Sequence, residues 1–289
     1  MRTGIIEIAR LTAVFIAANA AVLLRMVWLP ALLLALCGVF FASGIVPNLP
    51  ALQSGDAQQL ERALLLSWKF IALGVLVPIV MSATAGTAIM RFAVFGEDEG
   101  RGTLVPLIGA PTLRVMGVNL LLGTHVLFFA VLMGIALKSL GGLVPALIAY
   151  GTPVATVALL LLISRWLMAY PMAAVRGRID IAGAWAFTRP IYGRFLVLVV
   201  ALGIAVFLVD LVLDGLFVPG GAQTLKALSP VFRQNWPLIA LGSFLSNIFV
   251  MTAFFSLIAI VYRLRTQELE QNVVKPIRRP VTDSSGQNP

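Results

Sequence analysis

Of the polar groups inside otherwise apolar stretches, two carboxylates, one imidazole and one amide are where this chain could do chemistry. Asp210 and Asp214 lie four residues apart, so on a helix they share one face. His125 and Asn247 each stand within a long apolar run. An ionisable group inside hydrocarbon marks an ion pathway, a proton relay or a binding site by default. A contact between Asp210 and His125 would join two groups able to pass a proton. The plain alternative is that each polar side chain bonds a neighbouring helix's backbone or hydroxyl, a contribution of only ~0.6 kcal/mol.

The rest of the chemical inventory is thin. The single cysteine, Cys37, allows no intramolecular disulfide and no cysteine-rich metal site; in an apolar run it reads as a small buried residue. A single histidine excludes bis-histidine haem ligation and an HExxH zinc site within one chain. No glycine-rich phosphate loop precedes a helix. No cofactor, no metal site and no catalytic residue is expected, so the chain reads as a non-enzyme.

The elements that must position these groups are six apolar runs: Met26 to Val46, Ser67 to Met90, Val115 to Leu137, Ala146 to Tyr170, Phe195 to Phe217 and Trp236 to Tyr262. Crossing ~30 Å of hydrocarbon takes about 20 apolar residues at ~1.5 Å of rise each. Inside lipid every backbone amide must be satisfied within its own segment, so the runs predict helices. Composition agrees: 60% of residues are hydrophobic and 11% charged, with a mean hydropathy of +0.99. The expected fold class is all-α, a six-span bundle. At that rise Asp210 lies ~22 Å from Phe195, His125 ~15 Å into the third run and Asn247 ~17 Å into the sixth. Asp214 falls near the far interface.

Arginines and lysines orient the bundle. One side collects Arg2, Arg10, Arg25, Arg91, Arg101, Arg114, Arg165, Arg176, Arg178, Arg189, Arg194, Arg263, Arg265, Lys275, Arg278 and Arg279, leaving Arg62, Lys69, Lys138, Lys226 and Arg233 on the other. That bias predicts both termini in the cytoplasm. The net charge of +9 then reflects this bias and affinity for anionic phospholipids at the cytoplasmic face, and no basic run interleaved with aromatics points to nucleic acid.

Residues 1–25 carry a shorter apolar stretch, Leu11 to Leu24, that would rise only ~21 Å. It reads first as an interfacial amphipathic helix lying among headgroups. A seventh or half span would carry Arg25 outward, and a cleaved signal peptide would use Ala18-Asn19-Ala20. Residues 26–262 form the membrane domain, and the polar tail 263–289 is expected to be disordered. Small residues along one face, Ser82 with Gly86 and Gly242 with Ser246, suit close helix packing. Arginines recurring before each outward run (Arg25, Arg114, Arg194) and after each return (Arg91, Arg165, Arg263) fit a threefold repeated hairpin, and equally any six-span chain that obeys the charge bias.

Two internal loops are the least generic stretches. Residues 91–114 hold Glu97-Asp98-Glu99 between glycines, and residues 171–194 hold Arg176, Arg178, Trp185, Arg189 and Arg194. In the second, Ile179, Ile181, Ala182, Trp185 and Ala186 can share a face of a short helix bounded by Pro171 and Pro190, at the depth where Trp favours the membrane–water boundary. Such a loop can rest on lipid or dock a membrane-protein partner. On the other side, Asp56 is placed to cap a short helix through Arg62, Pro219-Gly220-Gly221 signals a turn, and Lys138 to Pro145 reads as a very short turn.

The series Tyr170-Pro171 … Gly177 … Ala184-Trp185 … Thr188-Arg189 … Arg194-Phe195 resembles a cytoplasmic segment of bacterial six-helix proteins that include the membrane domain accompanying some glycerophosphoryl diester phosphodiesterases. Arg91-Phe92-Ala93-Val94 … Gly96-Glu97 … Arg114, with Asn19 … Arg25 … Trp28-Leu29-Pro30, also resembles uncharacterised membrane proteins of alphaproteobacteria. The resemblance implies a multi-pass protein of a bacterial inner membrane. It does not imply phosphodiester hydrolysis, which in that group belongs to a separate soluble barrel that residues 263–289 are too short to form. Pro190 stands where the group has glycine. The expected role is organising or assembling a membrane partner; the alternative is a small permease or proton- or lipid-handling channel using Asp210 and His125.

The orientation can be checked by site-directed labelling. A cysteine introduced near residue 140 or 225 should react with an impermeant reagent from outside the cell, and one near 105 or 180 only after the membrane is opened. The reverse pattern would invert the orientation.

Overall fold

The computed structural model describes residues 4–45, 48, 56–96, 109–141, 157–159, 161–217 and 225–274. The elements are α1 (Ile5–Ala18), α2 (Ala20–Ile45), α3 (Ala57–Phe95), α4 (Ala110–Gly141), α5 (Ala169–Val175), α6 (Ile181–Thr188), a 3-10 turn (Arg189–Ile191), α7 (Tyr192–Phe217) and α8 (Leu225–Val274). Among the described residues there is no strand. Six helical stretches are long and apolar enough to cross a membrane: Ala20–Ile45, Glu61–Phe95, Ala110–Met133, Val157–Val175, Ile181–Phe217 and Asn235–Gln271. Outside the described residues lie the Glu97-Asp98-Glu99 loop, the turn at Pro219-Gly220-Gly221, residues 142–156 and residues 275–289.

Several boundaries differ from the sequence expectation. The first span starts at Ala20, not Met26, because the chain breaks helix only at Asn19 (φ −119°, ψ 18°). Arg25 therefore lies inside α2, near its start, where its long stem can carry the charge toward water. Asp56 does cap a helix, accepting from the Gln58 N–H at 2.9 Å, but no breaker follows Arg62, so the short helix expected there is continuous with the second span. The third helix likewise runs past Lys138 to Gly141.

Pro171 does not end the fourth span. The chain turns at Leu167–Met168, and Pro171 falls in the first turn of α5, where a missing amide leaves no helical bond unmade. Pro190 does bound α6, sitting in the 3-10 turn that follows it. Helix α8 kinks at Asn235 (φ −120°, ψ 16°); Pro237 has no N–H and its ring crowds the carbonyl four residues back, so the sixth span starts there. Beyond Tyr262 helix α8 continues to Val274, correcting the disorder expected from Arg263 onward over that stretch. The Arg265–Glu268 ion pair at 2.6 Å, three residues apart, supports this extension.

Buried side chains gather at one end of the bundle. A single cluster joins Leu23, Met26 and Val27 of α2, Ala83 to Ala93 of α3, Val115 to Leu122 of α4, Leu167 to Ala174, Ala184 to Leu198 around α6 and α7, and Met251 to Tyr262 of α8. These are the starts of the first, third and fifth spans and the ends of the second, fourth and sixth. They are also the ends that carry the arginines. Alanine supplies much of this core: Ala83, Ala85, Ala93, Ala169, Ala173, Ala174, Ala184 and Ala259 are essentially inaccessible. Small side chains let helix backbones approach closely, which is what associates helices in lipid.

Glycine serves the same purpose where aromatics cross. A Cβ added at Gly86 would fall 2.7 Å from the Phe255 ring, and one at Gly74 2.3 Å from Phe41. The terminating glycine of α3, Gly96, has φ 72° and donates its N–H to the Phe92 carbonyl at 2.8 Å, the left-handed helix stop that L side chains rarely adopt.

Helix α1 packs against α8 and α7, burying Ile8 and Thr12. Phe15 meets Phe92 at 5.8 Å between ring centroids. Its other side leaves Ile6 and Val14 exposed. At Ile5–Ala18 it is too short to span, and it is both part of the core and a carrier of apolar surface.

Candidate functional site

The arginine-rich end is built around α6. Asp180 starts this helix, accepting from the Gly183 N–H at 2.6 Å and pairing with Arg178 at 3.2 Å. The residue before the pair, Gly177, has φ 71°, a conformation that L side chains rarely adopt, and a Cβ there would crowd the Arg114 guanidinium at 3.1 Å. On the inner face Ala184, Phe187, Thr188 and Ile191 are buried. Phe187 stacks on Tyr262 at 5.4 Å, and Arg176 lies over the same ring at 5.6 Å. The Thr188 hydroxyl donates to the Ala184 and Arg165 carbonyls.

Arg165 is held between two rings, 4.4 Å above Trp185 and 4.2 Å above Tyr192. A guanidinium so placed gains from both ring faces. The Tyr192 hydroxyl in turn donates to the Leu161 carbonyl at 2.9 Å. Arg263 closes the platform, donating to the Ala93 carbonyl at 3.1 Å. On the outer face of α6 Ala182 and Ala186 are exposed, and so is Trp185 although it is one ring of the Arg165 sandwich, with Arg178, Arg189 and Arg194 exposed around them. The sequence placed Ile179, Ile181, Ala182, Trp185 and Ala186 on one stripe; the structure leaves Ile179, Ala182, Trp185 and Ala186 exposed, half-buries Ile181 against the core, and buries Ala184, Phe187 and Thr188.

Within the spans the polar side chains fall into two groups. The sequence-derived residues Asp210 and Asn247 come together between α7 and α8. The Ser246 hydroxyl donates to Asp210 Oδ1, and Asp210, Leu213, Phe217, Ile239, Gly242, Ser243, Ser246 and Asn247 line a cleft of about 340 Å³. Gly242 and Ser246, which the sequence assigns to packing, are therefore walls of this cleft as well. The side chain of Asp214 lies outside the described residues.

His125 stands apart from that cleft. Its Nδ1 is 2.6 Å from the Leu121 carbonyl one turn back; a carbonyl only accepts, so Nδ1 carries the hydrogen. Its ring meets Trp166 edge-on at 5.3 Å. No hydrogen bond or ion pair between His125 and Asp210 occurs among the described residues, so the proton relay read from the sequence has no direct contact to run on. Cys37 is half-buried, and its thiol reaches the Leu73 carbonyl at 3.4 Å.

The second group centres on Asn119, which was not singled out from the sequence; Ser82 was, for packing alone. Asn119 donates to the Ile79 carbonyl and to the Ser82 hydroxyl, each at 3.0 Å, and accepts from the Tyr170 hydroxyl at 2.7 Å. Ser82 donates to the Pro78 carbonyl at 2.6 Å. One amide thus ties α3, α4 and α5 beside the turn that Pro78 perturbs, where the proline removes a helical donor. An asparagine within a span was the available signal, but nothing in the sequence said which helices it joins.

No family model matches the chain, and neither the curated proteins nor the solved structures supply a match. Among the described residues no group of three or more His, Cys, Asp or Glu side chains is placed to hold a metal ion.

Because Asn119 is shared by three partners, its loss should cost more than loss of any one of them. We expect Asn119→Ala to destabilise the protein by ~1–2 kcal/mol and Tyr170→Phe by ~0.6 kcal/mol in detergent–denaturant unfolding. Equal costs would show that the amide acts through the tyrosine alone.

Proposed function

We propose that this chain is a non-enzymatic, multi-pass protein of a bacterial cytoplasmic membrane, with both termini in the cytoplasm, that organises or stabilises a membrane-protein partner. The observation that carries this reading is the two-sided character of α6. Its inner face is clamped by the Phe187–Tyr262 stack and the Thr188 hydrogen bonds, and its outer face offers Ala182, Ala186 and Trp185, the last braced by Arg165, among arginines. A helix held this firmly while exposing an aromatic anchor and fixed cations suits docking, since aromatic and arginine side chains dominate contact energies. Its position at the arginine-rich end suits the level of anionic headgroups, and the exposed Ile6 and Val14 of α1 suit the same level. The kinship with bacterial six-helix proteins, drawn on Tyr170-Pro171 … Arg194-Phe195, is part of this proposal.

A small permease or proton- or lipid-handling channel is the second reading. The polar cleft at Asp210 and Asn247 favours it, and the separate surroundings of His125 weigh against the relay form of it.

Purification in mild detergent tests the first reading. The wild-type protein should carry a stoichiometric membrane protein, and Ala182→Glu combined with Arg189→Glu should release it, because both substitutions lie on the outer face and leave the inner packing untouched. Retention of the partner by the double variant, or recovery of anionic lipid alone, would contradict docking through α6.

A further inference from the structure

We propose that the cleft between α7 and α8 binds one monovalent inorganic cation, held together with part of its water shell. This goes beyond the organising role and gives the permease reading, on which it does not depend, a ligand. The donors that meet in the cleft are the Asp210 carboxylate, the Ser243 and Ser246 hydroxyls and the Asn247 amide. All offer hard oxygens and none offers sulfur or imidazole, a set that suits hard cations and not the softer transition metals.

The charge of the described lining favours a monovalent ion. The described lining contains one carboxylate and otherwise neutral groups, at a depth of ~22 Å from Phe195 along α7. A single positive charge cancels it, whereas a divalent ion would leave excess charge where the dielectric is low and desolvation is costly. Ser246 spends its hydrogen on Asp210 Oδ1, and its oxygen keeps lone pairs with which to accept a cation.

Volume decides the hydration. About 340 Å³ far exceeds the ~10–15 Å³ that one water requires on the same measure, so the cleft has room for an ion with several waters. Access is expected from the arginine-poor side, since the fixed guanidinium groups at the other end repel cations. Asp210 and Phe217 lie toward that arginine-poor end of α7, and Phe217 approaches the Gly242 position so closely that an added Cβ would sit 3.3 Å from it.

The test is calorimetric titration of the full protein in nanodiscs with lithium, sodium and potassium chloride, with choline chloride holding ionic strength constant. At least one of the three should give saturable one-to-one binding. Asp210→Asn should weaken it by at least about tenfold, or ~1.4 kcal/mol, and Ser246→Ala by a smaller factor. The same cation should raise the melting temperature of the wild type, because it binds the folded state, and not that of Asp210→Asn. Should Ser246→Ala fail to fold, Ser243→Ala, at an exposed hydroxyl of the same cleft, takes its place with the same expectation. No saturable binding of any of the three, or undiminished binding by Asp210→Asn, would overturn the proposal. Uptake into sealed vesicles is a separate measurement: a cation that binds but does not cross would remove the permease reading and leave the site standing.

Discussion

Helices in a bilayer gain little by burying leucine against leucine, because the lipid is equally apolar. They associate where backbones can approach closely and where a few polar groups find partners. In this chain that condition is met chiefly at the arginine-rich end. Alanines on α3, α5, α6 and α8 are inaccessible there, and Phe195, Phe255 and Tyr262 fill the spaces between them. The same end carries the Arg165 sandwich and the Arg263 bond to the Ala93 carbonyl. Every other feature hangs from this packed floor: the clamped α6, the amide junction at Asn119, and the direction in which α7 and α8 leave the core.

Away from the floor the bundle changes character. Along α7, Val200, Ile204, Phe207, Leu208, Leu211 and Val212 are exposed, as side chains facing lipid should be. The contact between α7 and α8 at this depth includes the Ser246–Asp210 hydrogen bond and the Gly242–Phe217 approach. Polar groups in this position stabilise a junction only modestly, so the cleft they line is free to carry a ligand without the fold depending on it. The two proposed activities, docking at α6 and cation binding at Asp210, thus sit on regions with different mechanical duties.

The spans were legible because hydrocarbon thickness and backbone satisfaction leave almost no alternative for six long apolar runs. Caps at Asp56 and the bound set by Pro190 were legible for local reasons. Boundaries were less so: Arg25 and Arg62 read as ends because they are charged, yet a charged residue near a helix terminus can stay helical when its stem reaches water. Pro171 read as a stop, but proline in a first turn costs no hydrogen bond. Asp210 and Asn247 were recognised one by one, and their meeting with Ser243 and Ser246 depends on the rotation of α7 against α8, which no local pattern encodes. Whether Asp210 meets His125 depends on how α4 and α7 are placed in the bundle, which no local pattern encodes either. The Arg165 sandwich requires Trp185 and Tyr192 to fold back across a turn, and that too is tertiary information.

Tryptophan substitution along the bundle tests the packed floor most directly. Folding yield in mild detergent should collapse for Ala85→Trp, Ala173→Trp and Ala259→Trp, where inaccessible alanines leave no room for an indole. It should hardly change for Ala201→Trp and Gly203→Trp, which are exposed on α7. Tolerance at the three alanines together with collapse at the two α7 positions would contradict a bundle held from its arginine-rich end.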